Sequence, residues 1–241
     1  MSKQEFYIRQ CTVWSNPLTL TDGFSTCVLG NPADQIPKSQ RRRLKNFGRH
    51  AVGVALSGPD EKNLQTVFSS RYGDLAQTVD LLDAIDRRDI LSPASFSMSV
   101  HNAVPGFLSI LKGNKAPYTS VSAGRETFVA GLSETLTRIN FGECDEVNFI
   151  YADTALPEQY QQFTVTNEGV SFVFRALISQ SYREGSVKIR LERQNTKSQQ
   201  KAADPVSHAL SFLGVVDGKQ YKANLAGERW GFDAECVSDK N

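Results

Sequence analysis

NAVPGFLSILKGNKAPYTSVSAGRETF, residues 102–128, decides the fold. A short apolar helix around PGFLSIL leads through a Gly- and Pro-marked turn into a core strand, Tyr118 to Ser122. The chain then enters a helix in which Phe128, Leu132, Leu136 and Ile139 recur at steps of four, four and three, and Gly142 ends it. Where a strand gives way to a helix, many enzymes place a nucleophile, because the helix amides stabilise the anion formed there. Here that joint carries Arg125.

Outward from this stretch, strand-like and helix-like patterns alternate. EFYIRQCTVW near the start has the composition of a buried strand. Ser39 to Gly58 predicts one helix with Leu44, Phe47, Ala51 and Val54 as its stripe, followed by the strand LQTVFSS. Asp74 caps a helix whose Leu75, Val79, Leu82 and Ile85 share one face. EVNFIYAD and VSFVFRALIS, on the far side, are strands of the core. Helices between strands imply a layered α/β fold with crossover connections. In the last third, Val187, Ile189 and Leu191 alternate with Lys188, Arg190 and Glu192, as in a strand with one wet face, before a polar, loop-like tail. Asp204 and Pro205 open a short helix with Val206, Leu210 and Leu213 on its apolar face, and KQYKANLAGERWGFDAECV forms a closing hairpin.

A chain of 241 residues, 40% of them hydrophobic, can bury a substantial core. The formal net charge of +1 argues against nucleic acid or an anionic membrane as the main partner. The four cysteines, Cys11, Cys27, Cys144 and Cys236, are scattered, which speaks against a metal site or a disulfide framework and for a reducing, cytoplasmic location. MSKQEFYIRQ lacks the pattern of a signal peptide, and no apolar run is long enough to span a membrane.

The quoted stretch resembles a segment of the condensing β-ketoacyl synthases, enzymes of the thiolase fold. That segment reads N-x-x-x-G, then an apolar L-S/T-I, a glycine, a proline, and a strand ending in A-C. Asn102, Gly106, Leu108, Ser109, Ile110, Gly113 and Pro117 match it without a gap, and the likeness continues through Gly142 and Asp145. The resemblance implies a thiolase-like layered α/β fold: one N-terminal synthase half, α-β-α, over residues 1–180, and a reduced C-terminal remnant over 181–241.

Ungapped counting places the family's nucleophilic cysteine at Arg125. An arginine side chain stays protonated in proteins and offers no electron pair for attack. The histidine-bearing segments that supply the family's oxyanion donors are also missing: only His50, His101 and His208 occur, none in such a segment. A chain with this fold and neither feature resembles the chain length factors, noncatalytic partners of active β-ketoacyl synthases, and more narrowly those of aryl polyene pathways. The resemblance implies a heterodimer with an active β-ketoacyl carrier-protein synthase, transient contact with an acyl carrier protein, and no cofactor or metal. It assigns Asn102 and the strand Tyr118, Thr119, Ser120, Val121, Ser122 and Ala123 to the dimer interface, and Ala94, Ser95, Phe96 and Met98 to the partner's acyl tunnel. Arg41, Arg42, Arg43 and Lys45 offer a basic docking patch for an acidic carrier. The alternatives are an acyltransferase or thioester hydrolase using an unrecognised nucleophile such as Ser122, a homodimer through the same edge, and a stand-alone acyl-binding module. Cys144, beyond Gly142, has the setting of a buried apolar residue.

Overall fold

The structure, a computed structural model, describes residues 3–58, 63–164, 169–194, 203–228 and 231–237, apart from the Cys27 side chain. Its strands are β1 (Gln4–Asn16), β2 (Cys27–Val28), β3 (Gln65–Ser69), β4 (Tyr118–Val121), β5 (Glu146–Asp153), β6 (Ser171–Ser179), β7 (Val187–Gln194), β8 (Lys222–Ala226) and β9 (Gly231–Cys236). The helices are α1 (Lys38–Arg41), α2 (Asn46–Leu56), α3 (Leu75–Asp86), α4 (Pro93–Ser99), α5 (Ala103–Lys112), α6 (Thr127–Asn140) and α7 (Pro205–Val216). All nine strands join one sheet in the order β4-β3-β5-β6-β1-β7-β9-β8, with β2 beside β1. Residues on both sides of position 180 therefore supply strands to the same sheet. β3 runs parallel to β4 and β5, whereas β5-β6-β1-β7-β9-β8 is antiparallel throughout.

Helices cover both faces of the central strands, and that explains why β5 and β6 are apolar without alternation. Val147, Phe149, Tyr151, Phe172, Phe174, Ala176 and Ile178 pack toward α6 and α7. Ile150, Ala152 and Val173 point the other way, into a core shared with α2 and α5. Gly131 lets α6 lie close on the sheet: a Cβ there would meet the Ser69 side chain at 2.6 Å. Gly142, at φ +71°, ends α6 in the left-handed region as its sequence predicts.

β7 shows the expected wet face. Ile189 and Leu191 are buried, while Lys188 and Arg190 reach across to Glu5 at 2.8 and 2.9 Å. α7 begins at Asp204, whose carboxylate accepts from the Ser207 N–H at 2.9 Å, and β8 and β9 form the closing hairpin. The polar tail at 195–202 lies outside the described residues.

Three expectations need correction. The single helix over Ser39 to Gly58 is two helices, broken between Arg41 and Asn46. Nothing in local propensity breaks it. Leu44, within the break, is 2% exposed and packs into the core that α2 shares with α5, so tertiary packing overrides helix propensity. Second, Leu82 and Ile85 do not join Val79 in the core; they are 53% and 56% exposed because α3 packs on α4 rather than on the sheet. Third, the strand Tyr118 to Ser122 is an edge strand with no fully buried residue, and it ends at Val121, leaving Ser122 and Ala123 exposed in the loop.

Candidate functional site

At the C-terminal ends of the neighbouring parallel strands β4, β3 and β5, three loops converge, the place where α/β sheets carry ligands. Asp153, at the end of β5, organises the middle loop. Its carboxylate accepts from Ser70 Oγ and the Arg71 N–H, each at 3.0 Å, and from the Tyr151 hydroxyl at 2.7 Å. Burial pushes the Asp153 carboxyl up despite these bonds, and burial together with Asp153 pushes the Tyr151 phenol well up. The Arg71 guanidinium lies 4.6 Å over the Tyr72 ring. Burial raises the Tyr72 phenol, while Arg71 and, from the next loop, Arg125 act to lower it.

Arg125 sits, half-buried, in the single turn Gly124–Glu126 that feeds α6. Thr127 fixes this joint: its hydroxyl donates to the Gly124 carbonyl at 2.7 Å and accepts from the Ala123 N–H at 3.0 Å. Its own carbonyl accepts from Ser69 Oγ at 2.7 Å, tying the helix start to the end of β3. The joint between strand and helix thus carries a guanidinium in its first turn.

Ser122 donates its hydroxyl hydrogen to the Arg71 carbonyl at 2.9 Å, a backbone acceptor and not a base. The three histidines have separate surroundings. His101 donates from Nε2 to the Ser70 carbonyl at 3.0 Å, and His208 from Nε2 to the Ala226 carbonyl at 3.1 Å. His50 stacks on Trp14 at 3.8 Å, and burial plus Arg49 lowers it to about 4. Cys144 packs against the core and burial raises its thiol, as suits an apolar role.

A second feature brings together two groups of residues that the sequence offers for different purposes. Arg42, Arg43 and Lys45, from the α1–α2 linker, share a cleft of about 390 Å³ with Ala94, Ser95 and Met98 of α4. Phe96 does not line it; that ring is 59% exposed on the outer side of α4. The basic run is also less free than its sequence implies: Arg41 pairs with Asp34 at 3.3 Å, and Lys45 with Asp80. Arg43 lies 5.4 Å over the Phe107 ring. Gln77 of α3, buried and lining the same cleft, escapes a sequence reading because a lone glutamine in a helix carries no distinguishing pattern.

The third feature is the open edge. Among the described residues β4 has no strand on its outer side, and large apolar side chains are exposed on Tyr118 itself, on α5, which packs on β4 (Ile110), at Val100, on α4, which packs on α5 (Phe96), and on α3, which packs on α4 (Leu82 and Ile85). Asn102, at the start of α5, is exposed beside them. Among the described residues, no helix is long and apolar enough to cross a membrane, and no group of three His, Cys, Asp or Glu side chains is placed to hold a metal.

Residues 14–232 match the family described as β-ketoacyl synthase, N-terminal domain. The chain belongs to that family. Among solved structures, this β-ketoacyl synthase-like chain is similar to the ketosynthase ApeO in complex with its chain length factor ApeC from Xenorhabdus doucetiae. That match has a TM-score of 0.71 and 26% identity, over 83% of this chain and 82% of that one. The ishigamide ketosynthase/chain length factor matches with a TM-score of 0.58 and 13% identity, over 77% of this chain and 57% of that one. AntDE:AntF, a type II polyketide synthase acyl-carrier protein in complex with its ketosynthase bound to the hexaketide, gives 0.60 at 10% identity, over 88% and 73%. At these identities the last two establish the fold alone. No curated protein matches significantly. The β-ketoacyl synthase family, the thiolase-like fold and the likeness to chain length factors, expected from the spaced identities beginning at Asn102, are thereby established.

Proposed function

We propose that the chain is a noncatalytic chain-length-factor subunit that pairs with an active β-ketoacyl carrier-protein synthase and shapes its acyl tunnel in aryl polyene-type biosynthesis in the cytoplasm. The observation that carries this is Arg125 in the first turn after β4, where a condensing enzyme needs a thiolate. Residues 1–180 form the synthase-like half on this reading, and 181–241 a reduced remnant that finishes the sheet.

Pairing through β4 answers two liabilities at once, since it satisfies an open strand edge and covers the apolar side chains beside it. Asn102 and Tyr118 to Ala123 lie along that contact, and Phe96, facing outward, belongs to it. Ala94, Ser95 and Met98 bound the end of the partner's acyl tunnel. Arg42 and Arg43, the members of the basic run without an acidic partner among the described residues, are left to attract a carrier protein.

Co-expressed with its synthase, the chain is expected to co-purify as a heterodimer; recovery of the two proteins apart would overturn the proposal. In the reconstituted pair, Ser95→Phe fills space at the tunnel end and shortens the product, read by mass spectrometry, because a packed volume excludes substrate. Unchanged product lengths would remove Ser95 from the tunnel. A hydrolase or acyltransferase acting through Ser122 predicts instead a covalent acyl adduct on the isolated chain after incubation with acyl carrier thioesters. Intact-mass measurement is expected to show none, since the Ser122 hydroxyl is committed to the Arg71 carbonyl.

A further inference from the structure

A larger cleft, of about 560 Å³, opens beside α2 at the end of the sheet where β1, β3 and β5 stop. Asn16 closes β1, Thr154 follows β5 and Asp74 lies beyond β3, while Arg42, Arg49 and His50 come from the α1–α2 linker and α2. α4 contributes no side chain to it. Its volume falls in the range of small-molecule sites, roughly 300–1,000 Å³. The walls do not suit hydrocarbon or an aromatic base: Leu44 and Phe47 are 2% and 6% exposed, and the Phe47 ring is met edge-on by Phe68.

The polar groups on this cleft are largely unspent. The Arg42 guanidinium bonds to no described residue, and that of Arg49 makes one bond, from Nε to the Arg41 carbonyl at 3.3 Å. Asp74 caps α3 through one carboxylate oxygen, which accepts from the Gln77 N–H at 3.0 Å, and its other oxygen has no partner among the described residues. His50 sets the cleft apart. His101 and His208 each tether Nε2 to a backbone carbonyl, whereas neither ring nitrogen of His50 bonds to a described residue. Its Nδ1 is sealed from solvent without a partner, and its Nε2 is not sealed. Stacking on Trp14 at 3.8 Å holds the ring in place instead. Burial and Arg49 lower it to about 4, so the imidazole is neutral at pH 7, with one nitrogen a donor and the other an acceptor. Hydrogen-bonding capacity fixed in place and left unused is costly unless something in the cleft uses it.

We propose that this cleft binds a small hydroxylated anion of the sugar-phosphate or sugar-acid class. Arg42 and Arg49 take the phosphate or carboxylate, and the hydroxyls bond to His50 and Asn16 and donate to the Asp74 carboxylate. Bare phosphate would meet only the cations and a neutral sugar only the remaining groups, so the lining answers a ligand that carries both. Arg49, His50 and Asp74 take no part in the pairing edge, the tunnel or the carrier patch proposed above.

Calorimetric titration of the full chain with glucose 6-phosphate, gluconate, inorganic phosphate and glucose tests this. At least one of the first two is expected to bind roughly tenfold to a hundredfold more tightly than phosphate or glucose, and the tighter of them names the source of the anion. Arg49→Ala weakens that binding by roughly tenfold or more. His50→Phe keeps the stack on Trp14, removes both nitrogens, and brings the affinity down toward that of inorganic phosphate. Lys115→Ala, exposed and outside the cleft, removes the same charge and leaves binding unchanged. Should Arg49→Ala lower the thermal melt, Arg42→Ala, at an exposed position, carries the same expectation. Failure of both hydroxylated anions to bind, phosphate binding as tightly as they do, or an affinity indifferent to the arginine and His50 variants would overturn the inference.

Discussion

Replacing Ser120 with proline is expected to weaken association with the synthase partner by roughly 30- to 1,000-fold while leaving the isolated chain folded. The direction of the backbone groups decides this. The Thr66 N–H donates to the Pro117 carbonyl at 3.2 Å and the Ser70 N–H to the Val121 carbonyl at 3.1 Å, so the odd-numbered residues of β4 turn their peptide groups toward β3. Tyr118 and Ser120 then present theirs to the open side. Proline at position 120 deletes an outward donor, places its ring in the path of an incoming strand, and spares every bond to β3. A partner strand paired there would lose one bond and keep a desolvated carbonyl without a donor. Ser120→Ala is the control. It removes the hydroxyl that contacts the His101 carbonyl at 3.3 Å but keeps the N–H, and association should be unchanged. Measured by calorimetry or sedimentation, an affinity indifferent to the proline would show that β4 is not the paired edge.

How much of this was legible in the sequence varies by the kind of force involved. The stripe Phe128, Leu132, Leu136 and Ile139 and the strands EVNFIYAD and VSFVFRALIS are dictated by burial, and burial writes itself as periodicity. The proposed reading of Arg125 has a different basis: a fixed spacing from Asn102 leads to it, and a protonated guanidinium is no nucleophile. The stripe Leu75, Val79, Leu82 and Ile85 was legible as apolar but not as exposed. A helix face awaiting a partner subunit and one packed on its own sheet have the same sequence pattern, and only the neighbours of α3 tell them apart. The helix break at Arg42–Lys45 was invisible because those residues favour helix, and the packing of Leu44 into the core shared with α5 opposes them. The convergence of Arg42, Arg43, Gln77 and Ser95 on one cleft was equally hidden, since it joins three segments that no local rule links.

Phe128→Ala should cost about 3–5 kcal/mol of unfolding free energy, a large part of the roughly 5–15 kcal/mol that a domain holds. Phe128 is fully buried in the first turn of α6, with its ring centroid 5.5 Å from both Phe149 and Tyr151 and 5.7 Å from Phe212 of α7. It is therefore the point at which the sheet, α6 and α7 meet. Removing the ring leaves a void walled by strands that are hydrogen-bonded on both sides and cannot close on it. Phe141, just past the end of the same helix and 81% exposed, supplies the contrast: Phe141→Ala should change stability by no more than about 0.5 kcal/mol. Denaturant midpoints at constant m-value measure both. The effect bears on function, because Phe128 lies three residues beyond Arg125 and holds down the turn that carries it. A loss below about 1 kcal/mol for Phe128→Ala would mean that α6 is not anchored on the sheet. The joint after β4 would then lack the fixed geometry on which the reading of Arg125 depends.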